Sequence, residues 1–291
     1  MREYVLIGDS TEDLDINVAK KLDVKLIPFS YSINDEVINY YLDERDGNIS
    51  DFYDKLRKGA MPVTSQVNPD TYKKYFEKVV EEGKDILYLC FTSGLSGAYQ
   101  SAVLAAYMVM EKYADSRIEV VDSLVASVGG GILLYETDKK KKEGLSLDEL
   151  KNWIEDNRLN TRHWFMVEDL FHLKRGGRVT TVEAVVGSAL KIKPILSLDE
   201  DGKLIIKSKA RGVGKALDYL VERVEEEISD FSKVCFNIGN ADAMEKAEKI
   251  KTMLIERGAK EENIFISPIG PVIGSHVGPG MAAIAYIKGI Y

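Results

Sequence analysis

A run rich in hydroxyl groups and glycine, residues 92–102, separates two apolar stretches of the chain. The stretch before it, residues 85–91, has the length of a strand, and the stretch after it, residues 103–110, has the length of a helix. In an open parallel sheet, ligands bind at such a strand-to-helix turn. The first N–H groups of a helix lack internal partners and carry partial positive charge, so the run predicts a site for a carboxylate or a phosphate.

Three hydroxyl side chains and one glycine are the candidate ligands of that anionic group. Thr64 and Ser65 lie in the turn-forming segment PVTSQ. Ser93 and Gly94 lie in the run itself. Hydroxyls and backbone N–H groups can hold a carboxylate without a formal cation, and they leave one of its oxygens free to react. The competing interpretation is structural, with Ser93 and the Thr64–Ser65 pair capping the helices that follow them.

His276 is one of three histidines and lies between glycines in the segment IGSHVGPG. The glycines predict an exposed loop with an unusual backbone path. There the imidazole could form a hydrogen bond near the carboxylate, or it could only order its own loop. His163 precedes a strand and has no neighbouring ligand type, and His172 lies on one face of a turn between Phe171 and Leu173, so both are predicted to be structural. No spacing of Cys, His and acidic residues indicates a metal site.

A local basic cluster, KRGGR at 174–178, stands out in an acidic protein. Arg175 and Arg178 are predicted to dock a partner or to steer a phosphate, and Arg211 is a further basic position that could extend the same face. The alternative is an ordinary loop held by ion pairs. The segment GVGKA at 212–216 lacks the Ser or Thr that a P-loop needs for Mg²⁺, so no nucleotide site is predicted in this chain.

Several short segments together resemble the DegV family, which includes the fatty-acid-binding FakB subunits of bacterial fatty acid kinase. They occur in the family's order over nearly the whole chain: DST at 9–11, TSQ at 64–66, SGLSG at 93–97, DS at 122–123, LKRGGR at 173–178 and HVGPG at 276–280. The resemblance implies a fatty acid whose carboxylate is bound by the TSQ threonine and the SGLSG serine. It also implies a separate ATP-dependent kinase that converts the bound acid to an acyl phosphate.

Composition limits the class of protein. The 291 residues, 45% of them hydrophobic and 30% charged, are typical of a soluble globular chain with room for two domains. A net charge of −8 argues against general nucleic-acid binding. The apolar stretches are too short to cross a bilayer, so peripheral or no membrane contact is expected. Cys90 and Cys235 lie in apolar runs and are predicted to be reduced core residues, which favours a cytoplasmic location.

Alternating strands and helices predict an α/β fold of two α/β domains, residues 1–159 and residues 160–291. The first is expected to hold a doubly wound, mostly parallel sheet and the second a mixed sheet with helices. The resemblance to the DegV family implies that the ligand lies between them. The predicted strands are 4–8, 25–33, 85–91, 118–122, 163–167, 192–198, 203–210, 234–238, 264–267 and 282–288. The predicted helices are 14–22, 50–57 with Ser50 as its N-cap, 69–82, 98–112, 125–143, 147–157, 181–190, 214–228 and 241–257.

Three functions remain open. The preferred one is a carrier of a long-chain, palmitate-like fatty acid that presents its ligand to the kinase and has no catalysis or cofactor of its own. The second is a stand-alone acyl hydrolase or transferase with Ser93 as nucleophile and His276 as base, weakened because no third group is seen to orient the imidazole. The third is a lipid-sensing module without a kinase partner. Candidate walls for the acyl tail are the apolar segments 184–190, 192–196 and 269–273.

Overall fold

The computed structural model describes residues 2–179 and 191–290. Its strands are β1 Tyr4–Asp9, β2 Val24–Ile27, β3 Phe29–Ile33, β4 Glu36–Tyr40, β5 Val63–Ser65, β6 Asp85–Cys90, β7 Ile118–Asp122, β8 Thr161–Met166, β9 Ile192–Leu198, β10 Leu204–Arg211, β11 Phe236–Asn240, β12 Ile264–Pro268 and β13 Ala282–Ile287. Its α-helices are α1 Ile16–Ala19, α2 Ile49–Arg57, α3 Pro69–Glu81, α4 Ala98–Lys112, α5 Val128–Lys142, α6 Leu147–Asn157, α7 Phe171–Arg175, α8 Val213–Glu227, α9 Met244–Glu256 and α10 Pro271–Val277.

The first sheet contains four parallel strands in the order β2-β1-β6-β7. Its strands are short, largely buried apolar runs such as β6, as expected for a parallel sheet that helices cover. The predicted strand 25–33 is two strands, because Pro28 has no N–H to donate and stands where the chain leaves the sheet. The part after Pro28, β3, instead forms an antiparallel sheet with β4 and β5.

The second sheet is mixed, with six strands in the order β10-β9-β8-β13-β11-β12. Only the β11–β12 pair is parallel, and β9 with β10 forms the predicted antiparallel hairpin. Side chains alternate along β8, so Trp164 and Met166 pack in a core with α8 and α9. His163 and Phe165 lie on the opposite face, which packs against α5. The two sheets confirm the predicted α/β class.

Asparagine side chains cap the N-termini of helices α2 and α3. The predicted N-cap Ser50 is wrong, because α2 begins at Ile49 and the side chain of Asn48 accepts a hydrogen bond from the N–H of Asp51 at 3.1 Å. Asn68 caps α3 in the same way. The predicted helix 14–22 is only the one-turn α1. None of the helices within 2–179 and 191–290 is long and apolar enough to cross a membrane.

The domain boundary and one predicted helix are not tested by the structure. The strands of the four-stranded parallel sheet all precede residue 123, and the strands of the mixed sheet all follow residue 160. A domain boundary between residues 159 and 160 stays a prediction. The predicted helix 181–190, which contains the proposed cavity wall 184–190, lies outside the described residues.

Candidate functional site

A cavity of about 270 Å³ is lined by side chains from both halves of the chain. Most of its wall is apolar: Phe29, Phe91, Leu95, Ala126, Phe165, Leu173, Leu204, Val272, Ile273, Val277 and Met281. A smaller set of lining residues is polar: Thr11, Thr64, Ser65, Gln66, Ser96, Ser127, His163, Arg178 and His276. An apolar space with a few polar groups is typical of a site for a small amphipathic molecule.

One end of the cavity lies next to the protein surface. Thr64, Arg178 and His276 line the cavity and also a shallow surface depression beside it. Met61 and Val63, which are 62% and 63% exposed, line the outer side of that depression. We call the end formed by Thr64, Arg178 and His276 the mouth of the cavity.

At the mouth, β5 and α10 bring together two predicted residues that are distant in the sequence. The hydroxyl of Thr64 lies 2.8 Å from Nε2 of His276. The predicted exposed loop around His276 is wrong, because Pro271 begins a helix here and His276 is mostly buried in its last turn. Gly176 packs so closely on the ring that a Cβ at this position would overlap with Nδ1 of His276.

The imidazole of His276 is neutral near neutral pH. Burial lowers its pKa to about 4, and the positive charges of Arg178 and Arg175 and the neighbouring His172 act in the same direction. A neutral imidazole has one donor and one acceptor nitrogen. Nδ1 has no hydrogen-bond partner among the described residues, so the pair formed by Thr64 and His276 retains hydrogen-bonding capacity for a ligand.

Arg178 adds a cation to the mouth. Its Nε donates to the carbonyl of Leu95 at 3.2 Å and its Nη1 to the carbonyl of Gly176 at 2.5 Å. Burial lowers its pKa, but a guanidinium remains protonated in proteins. Arg175 lies in the wall of the depression and donates to a backbone carbonyl. Neither arginine has an acidic side chain within ion-pair distance among residues 2–179 and 191–290.

The structure does not bring Ser93 and Gly94 into the described wall of the cavity. The N–H of Ser93 donates to Asp122 and the N–H of Gly94 to Thr92, each at 3.1 Å. A Cβ on Gly94 would overlap with the backbone of the β9–β10 turn, so this glycine permits close packing. Their carboxylate-binding role stays a prediction. Arg211 also lies outside both the cavity and the depression.

The capping interpretation of the hydroxyl residues is wrong. The N-cap of α4 is Gly97, without a side-chain cap bond, so Ser93 does not cap this helix. The cap of α3 is Asn68, so neither Thr64 nor Ser65 serves there.

Three buried carboxylates lie behind the inner wall. Burial raises the pKa of Asp9 to about 6 and of Asp13 to about 7, and it raises the pKa of Glu12 well above its usual range. Asp13 accepts hydrogen bonds from Ser127 at 2.6 Å and from the N–H of Gly270 at 2.9 Å. Asp9 and Asp13 hold the hydroxyls of Thr11 and Ser127 in place. Within the described part of the chain, no three His, Cys, Asp or Glu residues are arranged to bind a metal ion.

The sequence comparisons identify the family. A family model described as an uncharacterised protein of the DegV family matches residues 4–289. The chain belongs to the DegV family. A DegV domain-containing protein of Clostridium perfringens is 38% identical over 289 residues, which are 99% of this chain and 98% of the relative.

Solved DegV structures share the whole fold. A DegV lipid-binding protein from Thermotoga maritima superimposes with a TM-score of 0.85 at 30% identity, covering 98% of each chain. A fatty-acid-binding DegV family protein from Thermus thermophilus gives a TM-score of 0.88 at 27% identity, covering 99% of this chain and all of the other. The parallel and mixed sheets of this chain are therefore the DegV architecture.

Five polar residues that line this cavity were not predicted as site residues from the sequence: Thr11, Gln66, Ser96, Ser127 and His163. Gln66 and Ser96 belong to the TSQ and SGLSG segments, in which the predicted ligands were the neighbouring residues Thr64, Ser65, Ser93 and Gly94. A Cβ on Gly97 would overlap with the amide of Gln66, so the glycine lets this side chain reach the cavity. Ser127 was missed because its partner, Asp13, lies 114 residues away in the sequence.

Proposed function

We propose that this protein binds a long-chain fatty acid in the cavity and carries it to a separate ATP-dependent kinase. The observation that carries the proposal is the apolar wall that ends at Thr64, Arg178 and His276. The fatty-acid-binding DegV neighbours support the ligand class. A cytoplasmic location and the absence of a resident cofactor belong to the same proposal.

The tail supplies most of the binding free energy in this proposal. Each buried methylene contributes ~0.8 kcal/mol, so a chain of about sixteen carbons contributes on the order of 10 kcal/mol before ordering costs are subtracted. Aromatic and aliphatic side chains such as Phe29, Phe165 and Val272 offer the required surface. The apolar segment predicted at 269–273 contributes Val272 and Ile273 to this wall.

The carboxylate is placed at the mouth. There the hydrogen-bonded pair of Thr64 and His276 has one donor left for the anion, on the hydroxyl or on the imidazole, and the guanidinium of Arg178 adds charged donors. Ser65 and Ser96 line the same wall and are further candidates. Bound there, one carboxylate oxygen would lie near the surface depression, where a phosphoryl donor could reach it.

Delivery to the kinase is assigned to the surface around the depression. Arg175 lies there, outside the cavity itself, beside the exposed apolar side chains Met61 and Val63. A basic group beside a presented carboxylate can attract the phosphates of a bound nucleotide or acidic groups of a partner. Arg175→Ala should leave fatty acid affinity unchanged but lower acyl phosphate formation when the protein is added to a kinase-containing bacterial extract with ATP and hydroxylamine as trap.

The hydrolase alternative has less support. Nε2 of His276 is within hydrogen-bond distance of Thr64, and Ser93 is not part of the described cavity wall. Among the described residues, no carboxylate contacts Nδ1 of His276, so nothing orients it as a general base. A lipid sensor without a kinase partner would bind lipid as well as a carrier does. Unchanged acyl phosphate formation with Arg175→Ala would favour the sensor.

A titration with three ligands tests the head-group assignment. Hexadecanoic acid, its methyl ester and hexadecanol share one tail, so differences in Kd report on the carboxylate. We expect the acid to bind most tightly to the full-length protein and Thr64→Val to lose most of that preference. Thr252→Val, an exposed helical threonine outside the cavity, is the matched control. Equal affinity for the three ligands would contradict the head-group assignment.

A further inference from the structure

His163 is a polar side chain in the apolar part of the cavity. It is 4% exposed and lines the cavity beside Phe165, with 5.3 Å between the two ring centroids. Ser127 lies at the same end, since it directly precedes α5, whose Gly129 contacts the His163 ring. We call the part of the cavity formed by His163, Phe165 and Ser127 its deep end.

Neither ring nitrogen of His163 has a hydrogen-bond partner among the described residues. The neighbours explain why. Gly129 of α5 lies against the ring, and the residue opposite His163 on β13 is Ala285, so both neighbours lack a polar side chain. Ser197 donates only to the backbone carbonyl of His163. A buried N–H without a partner is costly, so a group that restores the hydrogen bond would bind favourably.

The other polar groups nearby are already engaged as donors. The hydroxyl of Ser127 donates to Asp13 and that of Thr11 donates to Asp9. Burial lowers the pKa of His163 to about 4, so its imidazole is neutral and offers one N–H and one acceptor nitrogen. His163 is therefore the group at the deep end with an unused donor.

The position of His163 also marks a boundary. It lines both the cavity and a second depression of about 320 Å³, whose wall includes Arg158, Arg162 and Lys207. The mouth has its own polar groups, Thr64 and His276, which line the first depression instead. The imidazole thus meets a bound chain at a place different from the carboxylate.

We propose that His163 recognises a hydroxyl or keto oxygen on the acyl chain, so that the preferred ligand is an oxygenated long-chain fatty acid. This inference rests on the proposed fatty acid binding and adds a second polar contact to it. The N–H of His163 donates to the ligand oxygen, and for a hydroxyl the ligand proton can be accepted by Ser127, whose own proton points to Asp13. A site built to bind such an oxygen discriminates against a chain without it.

The test compares octadecanoic acid with its hydroxy derivatives, with the hydroxyl near the carboxylate, at mid-chain or at the terminal carbon. Their Kd values are measured on the full-length protein freed of bound lipid. We expect one positional isomer to bind at least as tightly as the plain acid. In His163→Leu, this isomer should bind about tenfold more weakly relative to the plain acid.

Two further variants separate recognition from damage to the fold. Phe165→Leu removes bulk from the same face of β8 without removing a hydrogen bond, and it should weaken both ligands equally. His163→Gln keeps a hydrogen-bonding group and should retain part of the preference, even if His163→Leu does not fold.

The outcomes distinguish the two proposals. In one outcome, plain octadecanoic acid binds and every hydroxy isomer binds more weakly than it does. If the ratio of the two Kd values is then the same in the wild type and in His163→Gln or His163→Leu, the role of His163 is overturned while fatty acid binding stands. If no acid of the series binds to the wild type, both proposals fail.

Discussion

The mouth and the deep end of the cavity each contain a buried histidine, and the two differ in what surrounds it. His276 shares a hydrogen bond with Thr64, and two arginines lie nearby. The ring of His163 lies against Gly129 and Phe165, and neither of its nitrogens has a hydrogen-bond partner among the described residues. Both imidazoles are neutral, with a pKa of about 4. The difference teaches that the mouth suits an anion, whereas the deep end suits a neutral polar atom.

Of the changes considered, removing the cation from the mouth should lower the affinity for the acid the most. Arg178→Gln is expected to weaken binding of hexadecanoic acid about 100-fold, because a charged hydrogen bond in a buried place contributes about 1.5–3 kcal/mol. Binding of hexadecanol should change little. Isothermal titration calorimetry measures both. Arg211→Gln, an arginine outside the cavity, should bind like the wild type, and an equal loss for acid and alcohol would argue against a role in carboxylate binding.

Thr64→Val should weaken binding of the acid about tenfold, since the hydroxyl is lost and Nε2 of His276 loses its partner. The side chain keeps its volume, so the thermal unfolding temperature should fall by only a few degrees. A competition assay with a fluorescent fatty acid measures the affinity. Unchanged affinity would contradict carboxylate binding by Thr64 and would favour the prediction that Ser93 binds the carboxylate.

Asp13 tests whether buried carboxylates hold the inner wall. Its pKa is raised to about 7, so the folded state binds more protons than the unfolded state, and stability is lost as pH rises through 7. Between pH 6 and pH 7, the free energy of unfolding of the wild type should fall by about 1 kcal/mol relative to that of Asp13→Asn.

Urea unfolding of both proteins at the two pH values gives this difference. The histidines have lowered pKa values and act in the opposite direction, losing stability as pH falls from about 6.5 to 4. Their contribution is common to both proteins and cancels. A pH-independent difference between wild type and Asp13→Asn would show that Asp13 is already ionised in the folded protein.

Gly176→Ala should have the smallest effect, about a threefold loss of affinity for the acid. It removes no polar group, but its Cβ would push the ring of His276 away from its present position. Gly214→Ala is the matched control, because its Cβ would meet only the end of the Lys249 side chain at 3.8 Å. Tighter binding with Gly176→Ala would mean that the observed ring position is not the one used for the ligand.

Regular elements with strong local signals could be predicted from the sequence. Helix 98–112 and strand 118–122 have the predicted bounds, because an alanine-rich apolar run of helical length and a short, mostly apolar run before a polar turn carry their own pattern. Helix α10 was missed, since its glycines suggested a loop and outweighed the Pro271 start signal. Strand β3 left its predicted sheet through long-range pairing, which no local pattern contains.

The site was predictable in residue type and less so in position. Thr64 and His276 were both proposed, but their contact joins residues 212 positions apart and depends on how β5 meets α10. His163 was predicted to be structural because no residue of a ligand type neighbours it in the sequence, and the sequence does not show that it lines a cavity. Arg178 was predicted to dock a partner or to steer a phosphate, and the structure places it in the cavity wall, where its side chain donates to the carbonyl of Leu95.

Native mass spectrometry of the purified full-length protein tests the central claim most directly. The proposal predicts an added mass of one fatty acid per chain, released on denaturation and identified after extraction. An oxygenated chain in that extract would support the role of His163 as well. A protein that is empty as purified and also fails to bind added fatty acid would contradict the account.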